Sequence, residues 1–157
     1  MDEEVREAFS KAHEELKRAD HLIYVSLKYT RTVDVIKNII ERLISAFDYS
    51  IETLLITMKK NKVIDEIPKS PGLRCEILTK EYNDDEYLSL INFYLFLRRV
   101  NRAKFVRFQE FRRNVTMQAV LDDNIKVEVD IDKVFEYFEQ VKKFISMVEN
   151  IIKNQND

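Results

Sequence analysis

The amino-acid sequence predicts an all-α fold, an up-and-down bundle of about five helices with a small β-hairpin near residues 116–129. Apolar residues recur every three or four positions over five segments, which is the spacing of one helical face. The 157 residues include one glycine and two prolines, so few residues interrupt long elements. With 45% hydrophobic residues, a chain of this length can bury a full core without disulfides.

The first two predicted helices are long and amphipathic. The first covers residues 2–28, with acidic residues in its opening turn that complement the positive end of the helix dipole. Thr32 is the predicted N-cap of the second helix, which ends near Asn61. Because the apolar face of the second helix is broad, we expect it to be the most buried one, at the centre of the bundle.

Two further helices follow a proline-containing loop. Ser70 is the predicted N-cap of a short third helix over residues 71–82. Asn83 and Glu86 resemble a capping box ahead of a fourth helix. We expect this fourth helix to cover residues 87–113.

Near the C-terminal end, the spacing of apolar residues changes from every second position to every third or fourth position. Apolar residues alternate with charged ones over residues 125–129, after a polar turn, which predicts the hairpin. Asp130 is the predicted cap of a fifth helix over residues 131–152. The regular spacing on this helix fits either the core of a bundle or the contact face of a coiled-coil dimer.

The sequence shows no repeat, low-complexity tract or change in composition, which predicts a single domain over residues 1–157. Its one cysteine, Cys75, excludes an internal disulfide. The opening residues differ from a basic leader segment, and no stretch reaches the roughly 18 apolar residues of a membrane span. We therefore expect a cytoplasmic protein with no membrane partner.

Several familiar chemistries lack their residues in this sequence. His13 and His21 are eight positions apart, about 80° out of line on a helix, so they do not form a metal-binding pair on one face. A single glycine cannot build the common phosphate-cradling loops. No base is evident beside Cys75. We therefore expect no catalytic residue, no metal and no cofactor.

One segment departs strongly from the net charge of −2 for the whole chain. Residues 98–113 contain seven cations and a single carboxylate, that of Glu110. The cations are Arg98, Arg99, Arg102, Lys104, Arg107, Arg112 and Arg113. On a helix that turns about 100° per residue, Arg102 and Arg112 each fall within roughly 40° of Arg98. This narrow stripe is a candidate phosphate-binding surface.

Two interpretations of the basic segment remain open. In the first, the cations contact phosphates and any exposed ring among Phe105, Phe108 and Phe111 stacks on bases. In the second, the arginines pair with carboxylates elsewhere, such as Glu136 and Glu139, and the phenylalanines belong to the core.

The series of long helices with a late Arg112-Arg113-Asn114 motif resembles the HEPN superfamily of small helical-bundle proteins. Members of that family that cut RNA carry an arginine, a polar residue that is often asparagine, and a histidine a few positions later, and two copies meet across a homodimer. Arg113 and Asn114 match the first half of this motif, but Gln118 stands where the histidine is expected. Because glutamine does not titrate, the resemblance implies a non-catalytic relative that keeps a phosphate-facing arginine.

We therefore expect a binding or accessory module that contacts RNA or nucleotide phosphates through the basic helix, without catalysis. The candidate phosphate-binding residues are Arg98, Arg102, Arg112, Arg113 and Asn114. The candidate partners are a second copy of the chain, and RNA, a nucleotide or an acidic protein. The alternative is a structural or protein-interaction domain that forms a homo-oligomer through residues 131–152.

Overall fold

The computed structural model describes residues 2–155; the ends of the predicted domain, residues 1, 156 and 157, lie outside this range. The first helix, α1, consists of Glu3–His21, a π-helical segment Leu22–Leu27 and a last turn Lys28–Thr30. The other helices are α2 (Val33–Lys60), α3 (Pro71–Glu81), α4 (Asp85–Arg102) and α5 (Ile131–Gln155). Three strands, β1 (Lys104–Phe108), β2 (Thr116–Val120) and β3 (Lys126–Val129), form one antiparallel sheet in that order. Within residues 2–155, none of the helices has the length and apolar character needed to span a membrane.

Helix starts follow the capping signals of the sequence. Thr32, Ser70 and Asp130 accept hydrogen bonds from the backbone N–H three residues further on, at 3.3, 3.4 and 2.9 Å. These three caps confirm the prediction. The predicted cap of α4 is wrong by one residue, because the carboxylate of Asp84, not the amide of Asn83, accepts from the N–H three positions on.

Helix α2 lies at the centre of the bundle, as predicted, and packs against α1, α3, α4 and α5. Much of its apolar surface is completely buried, including Ile36, Leu43 and Leu54. Its buried hydroxyl groups donate to carbonyl oxygens four residues earlier, so they need no partner from another helix.

The apolar face of α5 packs against α2 within the same chain. Val134, Val141 and Val148 are fully buried, and the Phe144 ring stacks on Phe47 of α2 with 4.4 Å between ring centroids. The bundle core therefore accounts for the regular spacing of residues 131–152, and this face is not available to a coiled-coil partner. A homodimer through another surface stays a prediction of the sequence.

The predicted hairpin is present, but the fourth helix is shorter than expected. Helix α4 ends at Arg102, and the chain continues as β1, which pairs with β2 in a register that places Phe105 opposite Ala119. The expectation that the helix continues to Arg113 is therefore wrong. The all-α label is too strict, because a small three-stranded sheet follows the helix. The aromatic and β-branched residues of β1 suit a strand, and pairing with the hairpin decides between the two states. Buried Met117 anchors the sheet to the bundle.

We expect Val141→Asp to unfold the chain, because it places an unpaired charge at a fully buried position. Circular dichroism will measure the loss of helix, and the exposed neighbour Lys142 provides a control as Lys142→Asp. A Val141→Asp protein that keeps its helix content and only changes its mass in solution would contradict the assignment of this face to the core.

Removal of two buried tyrosine hydroxyl groups should change the stability of the fold in opposite directions. The Tyr87 hydroxyl is buried without a hydrogen-bond partner among the described residues, whereas the Tyr94 hydroxyl donates to Asp48 Oδ1. We expect Tyr87→Phe to raise the free energy of unfolding by about 1 kcal/mol and Tyr94→Phe to lower it by about 1 kcal/mol. Urea denaturation of both variants measures the difference. A loss of stability in Tyr87→Phe as large as that in Tyr94→Phe would contradict this reasoning.

Candidate nucleic-acid interface

The five residues predicted to bind phosphate do not converge. Arg98 points from α4 towards α2, and Arg102 lies at the end of α4 in a small cleft with Leu121 and Asp122. Residues 112–114 lie in the exposed loop between β1 and β2. The predicted stripe of Arg98, Arg102 and Arg112 is therefore wrong, because the helix that would align them ends at Arg102.

Arg98 is engaged within the fold. Its Nη1 atom lies 3.9 Å from Asp48 Oδ1, and its guanidinium lies 5.8 Å from the centroid of the Tyr94 ring. Burial raises the pKa of Asp48, while the hydrogen bond from Tyr94 and the charge of Arg98 lower this pKa. Arg98 thus compensates the charge of a partly buried carboxylate.

The interpretation that the arginines pair with carboxylates is correct for part of the basic segment. Arg99 Nη2 lies 3.4 Å from Asp123, and Arg107 lies 2.8 Å from Asp34 and 3.5 Å from Glu110. The carboxylates differ from those expected, and Glu136 instead pairs with a lysine of its own helix. Among residues 2–155, four of the seven cations have no ion pair. These are Arg102, Lys104, Arg112 and Arg113.

The loop between β1 and β2 is fixed to the turn between α1 and α2. The Phe111 N–H donates to the carbonyl of Arg31 at 2.8 Å, and Glu110 Oε2 accepts from the Val33 N–H at 3.0 Å. Glu110 therefore satisfies an amide in the first turn of α2 and adds negative charge at the positive end of the helix dipole. Gln109 and Phe111 adopt left-handed backbone conformations, with φ of 55° and 65°, which give the loop its sharp course.

Two aromatic rings project from this end of the molecule. The Phe111 side chain is 75% exposed, and Tyr29 in the last turn of α1 is 77% exposed. Phe108, at the end of β1, is also exposed. The expectation that the phenylalanines are core residues is therefore wrong for Phe108 and Phe111, whereas Phe105 is half-buried. We call this set the loop surface. Its residues are Lys28, Tyr29, Phe108, Phe111, Arg112 and Arg113.

The residues of the HEPN-like motif lie on two different elements. Arg113 and Asn114 belong to the exposed loop, and Gln118 lies on β2, where its Nε2 donates to Glu128 Oε1 at 3.5 Å. The side chain of Gln118 is thus bound to a neighbouring strand. Arg113 and Asn114 are exposed in the loop between β1 and β2.

The one cysteine of the sequence, Cys75, is buried. Burial raises the pKa of the Cys75 thiol to about 11, so this thiol is protonated at neutral pH. No group of three or more histidine, cysteine, aspartate or glutamate side chains within residues 2–155 is arranged to hold a metal ion.

Comparison of the chain with family models, with curated proteins and with solved structures gives no match.

Sequence reasoning missed the roles of Glu110, Lys28 and Tyr29. Glu110 had a signal, since it is the only carboxylate in the basic segment, but its partner amide is 77 positions away. Tyr29 had none, because an aromatic residue at the end of an amphipathic helix usually belongs to the core.

We expect Glu110→Ala to lower the free energy of unfolding by about 1 kcal/mol, because it leaves an amide of the first turn of α2 without its acceptor. Glu110→Gln keeps an oxygen acceptor and should retain most of the stability. Urea denaturation measures both values, and hydrogen exchange at the Val33 amide should accelerate in Glu110→Ala. Equal stability of the two variants and the native chain would show that the loop is not anchored in this way.

Proposed function

We propose that this chain is a non-catalytic binding module that contacts single-stranded RNA through the loop surface. The observation that carries the proposal is the pairing of exposed rings with free cations on a fixed loop. Phe111 is followed directly by Arg112 and Arg113, which have no ion pair among the described residues, and Tyr29 stands at the same end of the molecule.

Exposed aromatic rings and free cations are complementary parts of a single-strand site. Stacking of a base on an aromatic side chain contributes about 1–3 kcal/mol and depends little on sequence. Cations that neutralise phosphates release counterions, which adds affinity that falls as salt rises. Since the net charge of the chain is −2, this affinity has to come from the local cluster and not from the protein as a whole.

The rings favour single-stranded RNA over the other candidate partners. A base in a duplex is already stacked, whereas a base in a single strand is free to stack on a side chain. An acidic protein would use the arginines but would leave the exposed faces of Phe108 and Phe111 without a role. The resemblance to the HEPN superfamily also implies an arginine that faces RNA phosphates.

This proposal differs from the expectation of a basic helix. The contact surface is a loop held by the turn between α1 and α2, and it retains Arg112, Arg113 and Asn114 from the predicted set. Arg98 and Arg102 lie on α4, outside this loop. Arg98 contacts Asp48, and Arg102 lines a small cleft with Asp122.

Anisotropy of a short fluorescent single-stranded RNA tests the proposal. We expect Arg112→Ala/Arg113→Ala to weaken binding at least tenfold at low salt and to reduce the slope of log affinity against log salt by about one to two. Phe111→Ala should weaken binding by about tenfold with little change in that slope, because stacking releases few counterions.

Lys59→Ala/Lys69→Ala is the matched control, since Lys59 lies exposed in the last turn of α2 and Lys69 lies exposed in the loop that leads to α3. This variant should bind RNA as the native chain does. Absence of RNA binding, or equal affinity of the loop and control variants, would contradict the proposal. A loss in the arginine variant alone, with Phe111→Ala unchanged, would contradict stacking and leave phosphate contact as the only basis of binding.

A further inference from the structure

A second cationic site lies between α1 and α2, outside the loop surface. An open surface cleft of about 610 Å³ lies between the second half of α1 and the first half of α2. Its lining residues are Glu14, Lys17, Arg18, His21, Leu22, Asn38 and Arg42. The volume falls within the range of about 300–1,000 Å³ that is usual for small-molecule sites.

A buried carboxylate, that of Glu15, binds two of the arginines that line this cleft. Glu15 is only 8% exposed, and it lies on the face of α1 that otherwise presents Ala8, Ala12 and Ala19 to the core. Its Oε1 accepts from Arg18 Nη1 at 2.9 Å, and its Oε2 accepts from Arg42 Nη1 at 3.2 Å. Because a buried charge is costly without such partners, the two arginines are what stabilises the Glu15 carboxylate at this position.

Glu15 holds both guanidinium groups but does not saturate them. Each arginine carries five N–H donors, and the hydrogen bonds to Glu15 use one Nη1 group of each. The Arg18 and Arg42 side chains remain 60% and 45% exposed, so their other donors face the solvent in the cleft. Two guanidinium groups held side by side match the oxygen atoms of a phosphate group.

The cleft wall beside the arginines is formed by side chains without a fixed positive charge. Leu22 offers an apolar surface, His21 an imidazole ring and Asn38 an amide that can donate and accept hydrogen bonds. The π-helical segment begins at Leu22, and such segments are frequent at functional sites. A ligand with a phosphate at one end and a planar ring at the other fits this combination.

The cleft is near the loop surface but separate from it. Asp34, Asn38 and Arg42 are spaced four residues apart and share one side of α2. Asp34 pairs with Arg107 of β1, so the cleft begins one helical turn beyond the sheet. Its ligand does not depend on the RNA contact proposed above.

We infer that the cleft between α1 and α2 binds a mononucleotide, with Arg18 and Arg42 as ligands of its phosphate and Glu15 as the residue that positions both arginines. Lys17 adds a third positive charge beside them. Leu22 and His21 face the base, and the amide of Asn38 is placed to bind its polar edge.

Titration of ¹⁵N-labelled protein with AMP, adenosine and inorganic phosphate, followed by NMR, tests this inference. We expect AMP to shift amide signals of residues 14–22 and 38–42, and to bind about tenfold or more tightly than adenosine, which lacks the phosphate. Inorganic phosphate should shift the Nε–H signals of Arg18 and Arg42 without moving Leu22. Arg42→Ala should weaken AMP binding at least tenfold, with circular dichroism showing an intact fold.

Two further variants separate the cleft from the loop surface and from an ion pair that only stabilises the fold. Glu15→Gln keeps the size of the side chain but loses the charge. The Nε–H signals of Arg18 and Arg42 should therefore broaden, because less firmly held guanidinium groups exchange protons with water faster, and AMP should bind several-fold more weakly. Arg112→Ala/Arg113→Ala should lose RNA binding while AMP binding stays unchanged, so failure of one proposal is distinguishable from failure of the other. Unchanged AMP affinity in Arg42→Ala, or cleft signals that move with single-stranded RNA but not with AMP, would overturn the inference.

Discussion

Burial of α2 is the constraint on which the rest of the structure depends. The helix packs against the other four helices and contacts β2, so the apolar faces of those helices are buried against it. Its interior hydroxyls are satisfied by carbonyl groups of α2 itself, which lets it be surrounded without polar partners from neighbours. The two candidate sites are then fixed at its first turn and along its first half.

Polar groups that approach this core are each held by a named partner. Glu15 is neutralised by Arg18 and Arg42, and Asp48 by Tyr94 and Arg98. The two cases differ in what they leave open. Arg98 is shielded, with 27% of its side chain exposed, whereas the arginines on Glu15 keep about half of their surface in solvent. The same type of ion pair therefore stabilises the fold around Asp48 and presents cationic donors around Glu15.

The basic segment shows how a run of like charges is divided by tertiary structure. Its residues begin on α4, continue along β1 and end in the loop that follows, so neighbours in the sequence face different parts of the molecule. Arg98, Arg99 and Arg107 reach carboxylates on α2 and at the turn between β2 and β3. Arg112 and Arg113 have no ion pair among the described residues, and Glu110 binds α2 and Arg107. Three of the seven cations thus have a carboxylate partner within the fold.

The sequence by itself determined that five helices form, where most of them begin and which of their faces are apolar, because these follow from periodicity and from side chains that bond to amides three residues away. The Thr32 and Ser70 caps and the apolar face of residues 131–152 were predictable for that reason, whereas only the structure assigned that face to the core. Only the tertiary structure decided that residues 104–108 form a strand and that Glu110 caps α2, since both depend on contacts with distant residues. The same applies to the cleft, where the role of Glu15 depends on Arg42, 27 positions away on another helix.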